Sequence, residues 1–467
     1  MTEEKIYDVV ILGGGPGGYV AAIRGGQLGL SVAVIEKEAV GGTCLHHGCI
    51  PSKAIIRNAE VLSLIQQAEA FGIQVENVRA DFGQAIDRSK KVTQKLHAGL
   101  QHVMKKNKVD IFTGVGKIVA SDRIEISGSD GNKAIRGKKM IVATGTRVKS
   151  LPGLAVDGRR VLTSDDALLL RELPKSIAII GGGAIGVEFA YVYSVYGVKV
   201  TMIEMMPSLL PMEDRDVTTL LERSFKKRGI DILTQSRISA IKDQNGAFVI
   251  DLQTEAGGTT VSVEAILVAV GRTPNTEGIG LESIGVAMDE KRRLIQVDER
   301  MRTNVPNVFA VGDVTTRPAL AHGAMAQGVS VVESIAGIER PPVDLLNIPN
   351  AVYCHPEVAS VGLTEEKARE AGYEIKVAKF PFTANGRAIA LGDTEGFVKI
   401  VADAKYGEIL GAHLIGPEAT ELIGEFVLAR TVEATAHELR AAVHPHPTLS
   451  EAVMEAGGAL FGEAIHF

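Results

Sequence analysis

Cysteine is scarce in this sequence, with only Cys44, Cys49 and Cys354 among 467 residues. A reducing compartment would keep an incidental pair of so few cysteines as thiols. We therefore expect that a disulfide between any two of them would have a catalytic reason.

Long apolar runs and blocks of positive charge are also missing. No uninterrupted apolar stretch reaches about 18 residues, so we expect no membrane-spanning helix. The net charge of -6 comes with interspersed signs, which argues against nucleic acid and anionic membranes as partners. The start, MTEEKIYDVVILGGG, lacks the basic region and cleavage site of a signal peptide, and we expect a cytoplasmic protein.

The composition that is present is typical of a folded globular chain. Apolar residues make up 45% and charged residues 23% of the sequence, close to the average of soluble domains. The chain is too long for one hydrophobic core, and its length predicts about three domains of roughly 150 residues each.

One stretch of the sequence occurs twice. Residues 9–38, VVILGGGPGGYVAAIRGGQLGLSVAVIEKE, align without a gap to residues 177–206, IAIIGGGAIGVEFAYVYSVYGVKVTMIEMM. Each copy has a β-branched strand, a G-x-G-x-x-G turn, a helix-like stretch, a second strand and an acidic residue. The glycines are Gly13, Gly15 and Gly18 in the first copy and Gly181, Gly183 and Gly186 in the second, and the acidic residues are Glu36 and Glu204.

Dinucleotide binding requires these residue types. The first glycine permits a tight turn, the second lets the backbone approach a pyrophosphate, and the third lets the helix pack on the strand. The helix N-terminus stabilises the phosphate charge, and the carboxylate accepts hydrogen bonds from ribose hydroxyls. Glu204 favours the free 2′-hydroxyl of NAD, so the second copy is predicted to bind NAD. The first copy directly precedes two cysteines, which suggests FAD as the redox partner of their sulfurs.

Two further stretches fit an interrupted first nucleotide-binding domain. KKMIVATGTRVKSLPG, residues 138–153, predicts a strand that ends near Thr144. VPNVFAVGDV, residues 305–314, predicts a second buried strand that ends at Asp313. Asp313 is a candidate ligand for a cofactor hydroxyl, and the alternative is an ordinary turn aspartate.

The stretch GGTCLHHGCIPSK, residues 41–53, places His46 and His47 between Cys44 and Cys49. Zinc sites combine ligands from two separated pieces of chain, and no second Cys/His pair lies near in sequence, so we expect no metal. A structural disulfide is disfavoured because a crosslink across so short a loop stabilises little. The two histidines are interpreted as solvated loop residues, and the alternative is that they tune the pKa of Cys44.

The spacing of the two cysteines predicts a distorted segment. Residues five apart on an ideal helix lie about 7.5 Å apart along the axis and on different faces, which does not suit a disulfide. Gly48 is the natural place to absorb the change before Pro51 fixes the backbone of the following helix. A strained short-loop disulfide is easily reduced, and a cysteine near a helix N-terminus favours the thiolate. These features favour a redox role.

The pattern G-G-T-C-x4-G-C-I-P-S-K, between an FAD-type and an NAD-type unit, resembles the flavoprotein pyridine nucleotide disulfide oxidoreductases along the whole chain. The resemblance implies an α/β fold with two Rossmann-like dinucleotide-binding domains, for FAD and NAD, and a C-terminal α+β dimerisation domain. It implies that Cys44 exchanges with substrate and that Cys49 faces the flavin. Lys53 would lie near the flavin ring and pair with Glu188, and otherwise both are ordinary first-turn helix residues.

The stretch HPHPTLSE, residues 444–451, matches the family pattern H-x-H-P-T-x-x-E. The match implies that His446 is the general base for a thiol substrate and that Glu451 orients it. The same spacing fits a capping box, with Thr448 as the N-cap and Glu451 accepting only from backbone donors. Spacing alone does not separate these interpretations, and the cysteine motif favours the catalytic one.

The resemblance also implies an activity and partners. The expected reaction is NAD-dependent oxidation of protein-bound dihydrolipoamide to lipoamide through Cys44, Cys49 and FAD, within 2-oxoacid dehydrogenase or glycine cleavage complexes. The expected partners are a lipoyl domain of an acyltransferase or glycine cleavage carrier protein and a second copy of the chain, in which His446 and Glu451 complete the other subunit's site. The alternatives are a disulfide reductase for another low-molecular-weight thiol and a non-enzymatic nucleotide-binding scaffold.

Three departures from the family pattern leave room for an unusual thiol partner. Gly323 stands where many relatives have lysine, Cys354 where threonine is usual, and His46 where asparagine is frequent. None of them removes a catalytic group.

The resemblance predicts domain bounds and further cofactor contacts. The predicted domains are 1–148 for FAD, 149–271 for NAD, 272–345 for a central segment that completes the FAD side, and 346–467 for dimerisation. Gly116, Ala321 and Gly271 complete the set of residues assigned to cofactor binding.

Overall fold

The computed structural model describes residues 5–129, 131–255, 257–291, 293–315 and 319–467. The chain forms two compact units, each assembled from separated segments. Unit 1 consists of Met1–Ala54, Gly83–Lys149 and Arg272–Leu345, and unit 2 consists of Ile55–Phe82, Ser150–Gly271 and Leu346–Phe467. Each unit therefore contains one copy of the repeated stretch.

The first part of the chain begins with alternating strands and helices. The strands are β1 (Ile6–Leu12), β2 (Val32–Glu36), β3 (Asp110–Thr113), β4 (Val115–Ala120), β5 (Arg123–Gly128), β6 (Gly131–Val142) and β7 (Thr146–Val148). The helices are α1 (Pro16–Gln27), α2 (Gly42–His46), α3 (Cys49–Gln66) and α4 (Phe82–Lys106), with a 3-10 helix at Ala68–Phe71.

The middle of the chain repeats this alternation and adds an antiparallel meander. The strands are β8 (Val161–Thr163), β9 (Ser176–Ile180), β10 (Lys199–Ile203), β11 (Asp231–Leu233), β12 (Arg237–Gln244), β13 (Ala247–Thr254), β14 (Gly257–Val263), β15 (Ala265–Val268), β16 (Arg272–Pro274) and β17 (Val308–Ala310). The helices are α5 (Ser164–Ala167), α6 (Ala184–Val195), α7 (Arg215–Lys227) and α8 (Ala321–Ile335), with 3-10 helices at Glu282–Ile284 and Gly312–Val314.

The last part of the chain is an antiparallel sheet with helices. The strands are β18 (Asn350–Val352), β19 (Glu357–Gly362), β20 (Ile375–Pro381), β21 (Phe397–Asp403) and β22 (Ile409–Gly416). The helices are α9 (Glu365–Glu370), α10 (Gly386–Leu391), α11 (Ala419–Thr431), α12 (Ala436–Ala441) and α13 (Glu451–Ala459), with 3-10 helices at Leu345–Asn347 and Phe382–Ala384.

The main sheet of unit 1 has the order β3-β2-β1-β6-β5-β4, with β17 also paired to β6. Strands β3, β2, β1, β6 and β17 are parallel to their neighbours in this group. Val9, Val10 and Ile11 of β1 are all buried, because alternate side chains enter hydrophobic cores on opposite faces of the sheet. A run of β-branched residues suits such a strand, which is covered on both sides.

The nucleotide-type sheet of unit 2 has the order β11-β10-β9-β15-β8, and its strands are parallel. The register repeats that of unit 1: Val9 pairs with Val32, and the corresponding residues Ile177 and Val200 also pair. Strands β12, β13 and β14 form an antiparallel sheet whose apolar side chains share a core with this sheet.

The C-terminal sheet of unit 2 has the order β18-β19-β22-β21-β20 and is antiparallel. Its core contains Phe380, Phe382 and Phe426 together with apolar residues of α11 and α13. Two Rossmann-like sheets and a C-terminal α+β sheet confirm the predicted fold class. Among the described residues, no helix combines the length and the apolar character that crossing a membrane requires.

Candidate active site

The first glycine of each G-x-G-x-x-G turn has a backbone that other residues rarely adopt. Gly13 has a φ of +106° and Gly181 a φ of +112°, in the region that favours glycine. A Cβ atom at Gly13 would lie 2.3 Å from the carbonyl oxygen of Ala143, and one at Gly181 would lie 2.4 Å from that of Ala269. No larger residue fits at either position, so both turns need glycine for the reason that the sequence predicts.

The third glycine lets the helix start against the turn. A Cβ atom at Gly18 would lie 1.9 Å from the carbonyl oxygen of Gly13. The corresponding atom at Gly186 would lie 2.1 Å from the carbonyl oxygen of Gly181. The close packing of turn and helix is therefore the same in both copies.

The second glycine faces open space at a helix N-terminus. Gly15 is the N-cap of α1 and Gly183 the N-cap of α6. Among the described residues, a Cβ atom at Gly183 would meet no heavy atom within 4 Å beyond its neighbours, and one at Gly15 would meet Gly42 Cα at 4.0 Å. Free space beside unpaired amide groups fits a pyrophosphate. Both turns therefore fit a dinucleotide.

The acidic residue of each copy lies beside its glycine turn. Glu36 accepts a hydrogen bond from the Gly14 N–H at 2.7 Å, and Glu204 accepts one from the Gly182 N–H at 2.6 Å. In both copies the second carboxylate oxygen accepts the backbone N–H two residues later. Each carboxylate oxygen has lone pairs left for further donors. The donor set thus suits ribose hydroxyls at both positions.

Thr144 and Asp313 lie at the same edge of the unit 1 sheet as the first glycine turn. The parallel strands β1, β6 and β17 end side by side, because Leu12 pairs with Val142 and Val142 pairs with Ala310. The Asp313 carboxylate accepts a hydrogen bond from the Thr146 hydroxyl at 3.0 Å, and the Thr144 hydroxyl donates to a backbone carbonyl. Ligands bind at such an edge in open α/β sheets.

Three other assigned residues have clear structural positions. Gly116 lies in β4, where a Cβ atom would come within 2.5 Å of Leu12 Cδ1, so a packing role is visible there. Ala321 begins α8, and Gly271 has a φ of +103° directly before β16. Contact of these residues with a cofactor stays a prediction.

Lys53 and Glu188 lie near the starts of α3 and α6 respectively. The hydrogen bond to Cys49 and burial raise the pKa of Cys44, and the positive charge of Lys53 opposes this rise only in part. The buried Glu188 carboxylate accepts a hydrogen bond from the Tyr353 N–H at 3.1 Å. Their pairing with each other stays a prediction.

Cys44 and Cys49 lie on either side of a break between two helices. Helix α2 ends at His46 and α3 begins at Cys49, so the predicted distortion falls at His47 and Gly48. Both cysteines are half-buried free thiols. A hydrogen bond to the Cys49 side chain, helped by burial, raises the pKa of Cys44. Cys49 is the first residue of α3, and a helix N-terminus favours the thiolate form of a cysteine.

His46 is not the solvated loop residue that the sequence suggested. It is half-buried at the end of α2, and its Nε2 lies 3.0 Å from the Val40 carbonyl oxygen. His97 of α4 binds the same oxygen through Nδ1 at 3.1 Å, and the two rings are 5.0 Å apart. His47 is exposed, as predicted, with its ring 3.7 Å from Glu38.

The structure bears on the prediction of no metal site and on two of the departures from the family pattern. Within the described ranges, no group of three or more His, Cys, Asp or Glu side chains is arranged to hold a metal ion. Cys354 is buried and its thiol donates to the Pro356 carbonyl oxygen at 3.0 Å, and burial raises its pKa. Gly323 is buried in α8. Neither departure replaces Cys44 or Cys49 of the thiol pair.

His446 forms a pair with Glu451, the first residue of α13. His446 Nδ1 lies 2.8 Å from Glu451 Oε1, and the imidazole is 79% exposed. Because the carboxylate can only accept, Nδ1 carries the proton and the exposed Nε2 is available as a base. Burial acts to raise the pKa of Glu451, but hydrogen bonds from the Thr448 N–H and His446 hold it below its usual value.

The capping interpretation of this stretch is also partly realised. The other oxygen of Glu451 accepts the Thr448 N–H at 2.8 Å, as a capping box requires. However, the Thr448 hydroxyl donates to Pro445 and Ser450 is the N-cap of α13. One carboxylate thus serves the backbone and the imidazole together, so the two interpretations do not exclude each other.

Comparisons with known proteins agree with this site. Residues 7–328 match the family described as pyridine nucleotide-disulphide oxidoreductase. Residues 348–457 match its dimerisation domain. The matched regions contain both glycine turns, the thiol pair, His446 and Glu451.

Relatives match over nearly the full chain. A Bacillus subtilis protein named dihydrolipoyl dehydrogenase is 46% identical over 472 residues, covering 99% of each chain. A Mycobacterium tuberculosis protein of the same name is 47% identical over 464 residues, again covering 99% of each. The crystal structure of LpdA from Mycobacterium tuberculosis matches with a TM-score of 0.91 at 28% identity, covering 97% of this chain and 99% of that chain.

Proposed function

Since the chain belongs to the pyridine nucleotide-disulphide oxidoreductase family, we propose that it oxidises protein-bound dihydrolipoamide to lipoamide with NAD as electron acceptor. The observation that carries the chemistry is the pair of hydrogen-bonded thiols, Cys44 and Cys49, at the break between α2 and α3. The choice of dithiol is based on the relatives at 46% and 47% identity that are named dihydrolipoyl dehydrogenase.

FAD and NAD are the cofactors expected of this family, and the two glycine turns fit them. FAD would be held in unit 1 by Gly13, Gly15, Gly18, Glu36, Lys53, Gly116, Thr144, Asp313 and Ala321. NAD would be held in unit 2 by Gly181, Gly183, Gly186, Glu188, Glu204 and Gly271. When bound, FAD would supply the path by which an electron pair from the thiols reaches NAD as hydride.

In the proposed mechanism, His446 removes a proton from one thiol of dihydrolipoamide. Its exposed Nε2 is the accepting atom, and Glu451 holds the Nδ1 proton and stabilises the imidazolium that forms. The proton is available again when the leaving sulfur of Cys44 needs one. A carboxylate held in the ionised form by two hydrogen bonds suits this role.

The thiol pair then exchanges with the substrate. The substrate thiolate attacks Cys44 Sγ of the oxidised pair, the bond between the two cysteine sulfurs breaks, and Cys49 leaves as a thiolate. The second substrate thiol then attacks the mixed disulfide, Cys44 leaves and takes the proton held by His446, and the proton of the second thiol passes to His446 and on to solvent. Lipoamide is released, and the protein pair has gained two electrons. Cys44 is then protonated, in keeping with the raised pKa of its thiol in the reduced pair.

A homodimer is part of the proposal. The match of residues 348–457 to a dimerisation domain supports it. In this dimer, His446 and Glu451 of one copy serve the thiol pair of the other. The dithiol would be presented by a lipoyl domain of an acyltransferase or a glycine cleavage carrier protein, and we place the enzyme in the cytoplasm.

A steady-state assay tests the substrate and cofactor together. Dihydrolipoamide, glutathione and other small thiols are each compared with NAD and NADP, and we expect the highest kcat/KM for dihydrolipoamide with NAD. Cys44→Ser should lose this activity, whereas the matched variant Cys354→Ser, at a buried thiol outside the pair, should keep it.

The alternative function has a distinct result in the same assay. Another thiol that reduces the flavin while dihydrolipoamide does not would favour a reductase for a low-molecular-weight disulfide. A non-enzymatic scaffold would show no turnover with any of the thiols tested. The family match and the enzyme names of the relatives argue against the scaffold.

A further inference from the structure

The loop at residues 205–214, directly after Glu204, closes over the second glycine turn. The Leu210 N–H donates to the Gly182 carbonyl oxygen at 2.8 Å. A Cβ atom at Gly182 would lie 2.7 Å from Leu209 Cδ2, so Leu209 packs directly on the turn. The 205–214 loop is therefore the outer wall of the proposed adenosine-binding end of the NAD site.

The far end of the 205–214 loop is held by a buried ion pair. Asp214 is 2% exposed and is the N-cap of α7, where it accepts the Asp216 N–H. The same oxygen accepts a hydrogen bond from Lys399 Nζ at 2.8 Å. Lys399 lies in β21 of the C-terminal sheet. One end of the loop is thus bound to the glycine turn and the other to this sheet.

Lys399 is surrounded by carboxylates rather than by solvent. Its side chain is 2% exposed, and its Nζ also lies 2.7 Å from Asp216 and 2.9 Å from Glu365. Breaking a buried pair by removing one partner leaves an uncompensated charge. The position of Asp214 is therefore strongly specified.

Helix α7 has a second attachment to the same part of the chain. At its C-terminal end, the Ser224 hydroxyl donates to Glu395 at 2.8 Å and Lys227 lies 3.2 Å from the same carboxylate. Glu222 of α7 also accepts the Leu209 N–H at 3.0 Å. The helix is held at both ends, and it holds the loop in turn.

We infer that Lys399 and Asp214 are positioning residues for the proposed NAD site: their buried pair holds the 205–214 loop over the Gly181–Gly186 turn in the shape that receives the adenosine half of NAD. The inference rests on the NAD site of the proposed function but not on the identity of the dithiol. Neither residue needs to touch NAD, because the pair acts through Leu209, Leu210 and Glu204.

The test uses two variants that each remove one carboxylate from Lys399. Asp214→Asn keeps the side-chain volume and the ability to cap α7 but loses the charge on the loop. Glu365→Gln removes a charge from the same ammonium, but Glu365 belongs to α9, outside the 205–214 loop. The oxidised, flavin-containing proteins are titrated with NAD, which cannot reduce them.

We expect Asp214→Asn to raise the Kd for NAD on the order of tenfold, as for a coupling between sites. The Kd of Glu365→Gln for NAD should stay within about twofold of the wild-type value, because the Glu365 carboxylate is partly exposed. Hydrogen exchange of the amides of residues 205–214, measured without nucleotide, should rise in Asp214→Asn alone. Unchanged NAD affinity in Asp214→Asn, or equal losses in both variants, would overturn the inference.

Two further results keep the test decisive. If Asp214→Asn does not fold, Lys399→Arg keeps the charge and alters the reach, and it should weaken NAD binding in the same direction; unchanged affinity there would count against the inference. A wild-type chain that binds NAD but does not oxidise dihydrolipoamide would refute the proposed function alone. A wild-type chain that binds no NAD would refute the site and the inference together.

Discussion

The two nucleotide-binding copies have the same turn geometry but differ in the segment that comes after the second strand. In the first copy, the chain continues into α2 and α3, which bear Cys44 and Cys49. In the second copy, the 205–214 loop continues into α7 and is held by Lys399. Both segments pack on their turns, since the Gly41 N–H donates to the Gly14 carbonyl oxygen at 2.8 Å as the Leu210 N–H donates to that of Gly182. The difference is that the first segment bears a redox pair, whereas the second is held by a buried ion pair.

In both copies, the turn decides what kind of ligand binds, whereas the next segment decides how that ligand is used. The clashes that a Cβ atom would cause at Gly18 and Gly186 differ by only a few tenths of an ångström. The redox pair and the ion pair of Lys399 with Asp214 both lie outside the repeat. The strongest test of the comparison is therefore to break one copy at a time.

Gly18→Val and Gly186→Val should abolish the binding of one cofactor each. A side chain at either position would collide with a carbonyl oxygen of its own turn, at 1.9 Å and 2.1 Å for Cβ alone. We expect Gly18→Val to be purified without flavin absorbance and Gly186→Val to be yellow but unable to bind NAD in a titration. A variant that loses neither ligand would show that the turn geometry is not required.

Cys49→Ser should reduce dithiol turnover to background while the protein keeps its flavin. The variant lacks the sulfur that leaves when the substrate attacks Cys44, so the exchange cannot proceed. It should also lose the long-wavelength absorbance that a thiolate facing a flavin produces, which a spectrum of the reduced protein measures. Persistence of that band would refute the assignment of Cys49, with Cys354→Ser as the control.

His446→Ala should lower kcat with dihydrolipoamide by roughly 10²–10⁴-fold, the range typical of general base catalysis. The flavin content should be unchanged, because His446 belongs to unit 2 and no proposed FAD contact involves it.

Glu451→Gln separates the catalytic and capping interpretations. Glutamine can still accept the Thr448 N–H, so the start of α13 should survive while the charge beside the imidazole is lost. Full turnover in both His446→Ala and Glu451→Gln would leave only the capping role.

A weaker effect is expected on acid stability, through the Lys399 anchor of the second copy. Burial acts to raise the pKa of Asp214, but the hydrogen bond from Lys399 and nearby positive charge hold it below its usual value. A carboxyl whose pKa is lower in the folded state stabilises the fold above its unfolded pKa. This stabilisation is lost as pH falls through the folded value.

Asp214→Asn should therefore be less stable than wild type at pH 7, because the charge that pairs with Lys399 is absent. The gap should begin to narrow below about pH 4, near the pKa of an unfolded aspartate, and should close as the pH falls through the lower folded pKa. Thermal unfolding midpoints of the wild type and of Asp214→Asn at a series of pH values measure this difference in stability. A gap of the same size at every pH would show that the charge of Asp214 does not stabilise the fold.

Local features could be predicted from the sequence because their causes are local. The glycine turns, the helix break at His47 and Gly48, and the pair of His446 and Glu451 each depend on residues near in sequence. The dual role of Glu451 could not be predicted, because both of its hydrogen bonds come from the same spacing. A pattern that satisfies two interpretations does not choose between them.

The sequence carries no signal for contacts between residues that are far apart along the chain. His97 meets the Val40 carbonyl oxygen across 57 positions, and Lys399 meets Asp214 across 185. A histidine on a charged helix and a lysine in a strand look like ordinary surface residues until tertiary packing brings partners to them. The solvated interpretation of His46 failed in part for this reason: its hydrogen bond to Val40 is local, but the His97 ring beside it comes from α4.

The redox role of the thiol pair is tested most directly by an anaerobic reductive titration of the wild-type protein with dithionite. Because the pair is a two-electron couple, we expect the protein to take up two electrons before the flavin absorbance bleaches fully. A single two-electron step that bleaches the flavin at once, with no long-wavelength band, would contradict a redox role for Cys44 and Cys49.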